Sequence, residues 1–111
     1  MTALATEDLG FTTRSDAVAN GQVSPHYHGD LKRRISIARA DGRLYAFDDL
    51  CTCDRPACPL SGGLLLGTTI MCQCHGSLFD IRTGAVLDGP ATEALKVYVV
   101  QESGGSIRIL L

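Results

Sequence analysis

All five cysteines of this chain fall between positions 51 and 74, and a histidine follows at once. They read Cys51-Thr52-Cys53, then Cys58-Pro59-Leu60, then Cys72-Gln73-Cys74-His75-Gly76-Ser77. Thiolates and imidazoles this close in sequence reach one metal site from a single loop, and two such loops projecting together complete a four-ligand set. Sulfur ligands joined by an imidazole suit zinc or the iron of an iron–sulfur cluster, and spacing alone leaves both open. Any fold for this chain must bring the two cysteine loops to one place.

A chain of 111 residues is expected to be one domain, residues 1–111, with a modest core. A net charge of −2 and a pI near 5.8 give no reason to expect nucleic acid or an anionic membrane as partner. The apolar runs Leu64–Leu66 and Val97–Val100 are far shorter than the roughly 20 residues of a membrane span. The opening MTALATEDLGFTT has no basic stretch followed by an apolar one, so no signal peptide is read and the cytoplasm is the expected compartment. In that compartment a cysteine cluster favours a metal site over a disulfide framework.

Strand signals dominate. Leu31 to Ala38 alternates around Ile35 and Ile37, Asp41-Gly42 is a hairpin turn, and Leu44–Phe47 is the return strand. Thr68–Met71, Ser77–Ile81, Ala85–Leu87, Leu95–Gln101 and Ser106–Leu111 read as further short strands, with turns at Arg82-Thr83-Gly84 and Glu102–Gly105. One helical turn is expected over 14–20, capped by Ser15 and ended by Gly21. His26 and His28 are expected in a solvated loop before the Leu31 strand, and Lys32-Arg33-Arg34 at the start of a half-exposed strand. Gly62, Gly63 and Gly67 read as turn glycines at loop ends. The expected fold is all-β: small antiparallel sheets in a sandwich or barrel, with the cysteine loops 51–63 and 72–77 carried between strands.

The stretch from Asp48 to Ala91 resembles the cluster-binding part of a Rieske-type [2Fe–2S] protein. That family carries a first box C-x-H and a second box C-x-x-H, which place two cysteines on one iron and two histidines on the other. Some members add a cysteine to each box, and these two form a disulfide that braces the loops. The second box here, Cys72 to Ser77, matches that version residue for residue. Asp80, Thr83-Gly84 and Asp88-Gly89-Pro90-Ala91 match as well, the last being the family's proline-containing loop near the cluster. The resemblance implies a small Rieske-type fold whose cluster-binding subdomain, about 48–91, is inserted between base strands.

The first box departs from the pattern. If Cys53 is the first ligand, the loop to Cys58 fits without a gap, but Arg55 stands at the histidine position and a guanidinium has no lone pair for a metal. If Cys51 is the first ligand, Cys53 takes the histidine's place and the loop is two residues longer than usual. The second alignment is preferred because it uses every thiol. It implies a [2Fe–2S] cluster on Cys51, Cys53, Cys72 and His75, with Cys58 and Cys74 as the disulfide candidates. A thiolate in place of an imidazole adds negative charge and implies a lowered reduction potential, with about one proton coupled to the electron through the single histidine. In high-potential members the serine of H-G-S and a tyrosine two residues later donate hydrogen bonds to sulfur. Ser77 is present here, but Phe79 stands at the tyrosine position without a hydroxyl.

The implied function is a small soluble ferredoxin, an electron carrier and not an enzyme, between a reductase and an oxygenase-type acceptor. Neither a nucleophile–base pair nor a Gly-rich nucleotide loop is present. Leu60, Pro59 and Pro90 are expected to form a small apolar rim for transient contact with a partner. Other readings of the same residues are a non-redox Rieske-fold subunit or interaction module around zinc or no metal, a cluster-based sensor, and free thiols at Cys58 and Cys74.

Overall fold

The structure is a computed structural model that describes residues 8–14, 18–28, 33–52, 58–74 and 76–110. Among these residues, ten strands run in chain order: β1 (Asp8–Arg14), β2 (Val23–His28), β3 (Arg33–Ala40), β4 (Arg43–Asp48), β5 (Leu64–Leu66), β6 (Thr69–Met71), β7 (Leu78–Asp80), β8 (Val86–Asp88), β9 (Val97–Ser103) and β10 (Ser106–Leu110). They form a six-stranded sheet, β1-β10-β9-β4-β3-β2, and a four-stranded sheet, β5-β6-β7-β8. Every pairing is antiparallel. Asp41 (φ 53°) and Gly42 (φ 78°) make the tight turn between β3 and β4, where both central residues need positive φ. No helix among the described residues is long and apolar enough to cross a membrane.

The chain leaves the large sheet after β4, builds the small sheet, and returns as β9 beside β4, with Ala46 opposite Tyr98 and Phe47 opposite Val97. The two ends of this excursion are tied where Asp48 N–H donates to Lys96 O at 2.9 Å. The large sheet buries both faces. On one, Ile35, Ile37, Ala46, Tyr98, Ile107 and Ile109 pack together with Val18. On the other, Ala38, Ala40 and Phe47 meet Ile70 and Phe79 of the small sheet, together with Leu60, Ile81 and Leu95. Alternate residues of β4 therefore serve two cores, which is why Leu44-Tyr45-Ala46-Phe47 is apolar throughout instead of alternating with polar residues.

Several sequence expectations are corrected. Ser24–His28 is not a loop: it lies in β2, paired with β3 from His26↔Ile35 to Val23↔Ala38. Pro25 is compatible with a strand because β2 is an edge. The expected helical turn over 14–20 is not seen in its described part. Arg14 ends β1, and Asn20 makes a bridge to Arg39, while Ser15 and its neighbours at 16 and 17 lie outside the described residues. Leu64–Leu66 is a strand that the sequence reading did not assign, and β9 begins at Val97, two residues later than expected. Leu95 is buried all the same, with its N–H donating to Gly84 O at 2.8 Å.

Gly84 illustrates how tightly the turn after β7 is packed. Its φ is +83°, and a Cβ there would stand 2.1 Å from Leu95 O. Gly105 has a similar φ of +80° but open space around it. Gly84→Ala is expected to lose about 2 kcal/mol or more of stability, and Gly105→Ala only about 1 kcal/mol from backbone strain. Urea denaturation midpoints of the two variants check the difference.

Candidate metal centre

The first cysteine box starts where β4 ends, and a buried carboxylate fixes it there. Asp49 is fully buried. Its Oδ1 accepts from Ser36 Oγ at 2.7 Å and from Ser61 N–H at 2.7 Å, and its Oδ2 accepts from Ser61 Oγ at 3.0 Å and pairs with Arg34 Nε at 2.7 Å. Its backbone is held as well: Asp49 N–H donates to Arg34 O and Leu60 N–H donates to Asp49 O. Cys51 N–H donates to Cys58 O at 2.8 Å. This bond closes the two ends of the first box on each other.

The second box is the tip between β6 and β7. Cys72 N–H donates to Ser77 O at 2.8 Å and Gly76 N–H to Cys72 O at 3.0 Å, with Gly76 at φ 79°. The two boxes approach through backbone. A Cβ on Gly63 would lie 1.9 Å from Met71 O, so Gly63 is required by this close approach and not by a turn. A third segment straps both boxes. Ala91 N–H donates to Ser77 Oγ at 3.0 Å, and Thr52 Oγ1 donates to Glu93 O at 2.6 Å. The Gly89–Pro90 peptide at the start of this strap is cis.

Cys51 and Cys72 are buried and carry no disulfide, whereas Cys58 and Cys74 are joined in one with their Cα atoms 6.4 Å apart. The Sγ atoms of Cys58, Cys72 and Cys74 all lie within 4.8 Å of one another. Cys53, Arg55 and His75 lie outside the described residues. Ser77 is fully buried, and since its oxygen accepts from Ala91, its hydroxyl proton is left to donate. Phe79 is fully buried in the core under the second box, paired with Ile70. Pro90 and Pro59 reach the surface, but Leu60 does not: it is fully buried and belongs to the core, so the apolar rim expected from it is corrected. Leu50, bridged to Pro59 and 47% exposed, is the apolar side chain that the surface offers there instead.

At the end of β7 away from the second box, Asp80 pairs with Arg82. Arg82 Nη2 lies 2.8 Å from Asp80 Oδ2, and Arg82 N–H donates to Asp80 Oδ1 at 2.9 Å. The guanidinium, through its hydrogen bond, holds the Asp80 carboxyl below the usual carboxylate range. This contribution to stability is present above the ordinary carboxylate pKa and is lost as pH falls through the lowered one. In β2, burial pushes the His26 imidazole below its usual value, with Nε2 2.9 Å from Ser24 Oγ.

Buried thiols on two loops fit a soft metal such as the iron of an iron–sulfur group. Comparison with known proteins agrees. Residues 11–99 match the family described as Rieske [2Fe-2S] domain. The ferredoxin component of the naphthalene 1,2-dioxygenase system of Pseudomonas aeruginosa is 35% identical over 77 residues, which cover 69% of this chain and 72% of that protein. The biphenyl dioxygenase ferredoxin subunit of Pseudomonas sp. (strain KKS102) is 32% identical over 94 residues, 85% of this chain and 84% of the other. Among solved structures, a chain in the complex of reduced oxygenase and oxidised ferredoxin in carbazole 1,9a-dioxygenase superposes with a TM-score of 0.76 at 27% identity, covering 86% of each chain.

Removing the Asp49 carboxylate strands Ser36 Oγ, the Ser61 donors and Arg34 around a void. Asp49→Ala is expected to cost about 2–4 kcal/mol in urea denaturation. It is also expected to open the first box, read as faster alkylation of the otherwise buried Cys51 in the folded, metal-free protein.

Proposed function

The chain belongs to the Rieske [2Fe-2S] domain family, and from that membership we propose that it is a one-electron carrier between a reductase and an oxygenase-type acceptor. The observation that carries the proposal is the division of the sulfurs. Five cysteines less the two in the disulfide leave Cys51, Cys53 and Cys72, which with His75 make four ligands. The cluster supplies one-electron chemistry when bound. The chain holds it, limits water through the burial of Cys51 and Cys72, and presents the second box at the tip of a small sheet. Ser77 lies beside Cys72 with its hydroxyl proton available, whereas Phe79 supplies packing and no proton. The cluster-binding part is proposed to span about residues 48–91. Relatives matched over most of their length are ferredoxin components of dioxygenase systems, and this supports the choice of partners. The proposed compartment is the cytoplasm, where the Cys58–Cys74 bond would face a reducing thiol pool.

Purified protein tests the proposal. A coloured protein with equal iron and acid-labile sulfide is expected; a colourless protein holding zinc would refute it. Cys51→Ser is expected to abolish the visible spectrum and Arg55→Gln to preserve it, whereas the reverse would restore the alignment that starts from Cys53. With three thiolate ligands, redox titration is expected to give a midpoint below roughly −150 mV, the lower end for two-histidine centres.

A further inference from the structure

The disulfide that braces the boxes lies against a third sulfur. Cys72 Sγ is within 4.8 Å of both Cys58 Sγ and Cys74 Sγ. Cys72 is fully buried, Cys58 is half-buried and Cys74 is exposed. Nothing in the proposed carrier role uses this proximity. We infer that the metal-free protein isomerises its disulfide from Cys58–Cys74 to Cys58–Cys72, and that this internal exchange reversibly closes the site to cluster loading. The inference rests on the proposed role of Cys72 as a ligand.

The step balances without an external oxidant or reductant. Cys72 Sγ attacks Cys58 Sγ. The Cys58–Cys72 bond forms, the Cys58–Cys74 bond breaks with its electron pair leaving on Cys74, and the Cys72 thiol proton passes to that departing sulfur, within 4.8 Å of it. One disulfide is present before and after. Two features select this direction. A leaving thiolate at exposed Cys74 is solvated as it forms, whereas one at half-buried Cys58 would be less so. Attack on Cys74 instead would close a ring across the single residue Gln73, a geometry that disulfides tolerate poorly. In the loaded protein Cys72 is held by metal and cannot attack. Once the cluster is lost, exchange consumes a ligand thiol and leaves Cys74 as a free thiol. A dithiol then resets the site by reducing the new bond.

The test starts from loaded protein, stripped by a chelator under anaerobic conditions so that no new disulfide is made. Timed samples are denatured, alkylated with iodoacetamide and mapped without reduction. Alkylation of Cys74 is expected to rise about tenfold over hours, the timescale of disulfide reshuffling, as alkylation of Cys72 falls and the total stays constant. Reconstitution with iron and sulfide is expected to decline in parallel and to recover after dithiothreitol. Cys72→Ser is expected to keep Cys74 protected. The inference is overturned if stripped protein retains Cys58–Cys74 with Cys72 free, or if Cys74 is freed equally in Cys72→Ser. Exchange at the same rate in the loaded protein would overturn the gating by removing Cys72 from the ligand set, a failure of the carrier reading distinct from failure of the sulfur chemistry.

Discussion

The two cysteine loops depend on one buried charge. A carboxylate taken out of water is destabilising by several kcal/mol unless its oxygens are satisfied, and Asp49 is satisfied by four groups: Arg34 Nε, Ser36 Oγ, and the N–H and Oγ of Ser61. Two come from β3 and two from the far end of the first box, so the carboxylate is the point at which the large sheet grips the loop. The requirement runs both ways. The loop cannot drift without stranding a charge, and the sheet cannot slip in register without withdrawing Ser36. A salt bridge alone would be weaker here, because Arg34 is 45% exposed and partly screened. Most of the specificity comes from the hydroxyls and the backbone N–H.

How much of this could be read in advance follows from the range over which each feature acts. The family was legible because the motif of the second box is contained in six consecutive residues, Cys72 to Ser77. The hairpin at Asp41-Gly42 was legible for the same reason. The role of Asp49 was not, since Ser36 is 13 residues away and Ser61 is 12, and their meeting is a product of strand register. The acidic pair Asp48-Asp49 at the end of an apolar strand was the available signal. Strand β2 was misread as a solvated loop, although an edge strand accommodates both Pro25 and polar residues such as His26. Leu60 was misplaced because an apolar residue next to a cysteine loop looks the same in sequence whether it faces solvent or core. Phe79, noted for the hydroxyl it lacks, proves to be one of the largest buried side chains.

The division of the cysteines gives the fold an economy suited to a small chain. The disulfide joins the two loops from outside while Cys51 and Cys72 are buried, so the bracing bond and the buried thiols are different sulfurs. The apolar cluster beneath gathers around Phe47, Ile70 and Phe79, and it meets the loops through Cys51 and Cys72 themselves, both of which pack in that same cluster. A thiol that is also a core residue ties the position of its sulfur to the packing of the sheets.

The strap from Ala91 to Glu93 has a consequence for the speed of electron transfer. It grips the second box at Ser77 and the first at Thr52, so the dipoles around the buried sulfurs are tied to one another across three segments of chain. When a single charge arrives or departs, such an environment has little freedom to turn, and most of its response is already built in before the event. The barrier from rearranging the surroundings stays small in both directions, which is the property a shuttle needs if it is to be filled and emptied with equal ease.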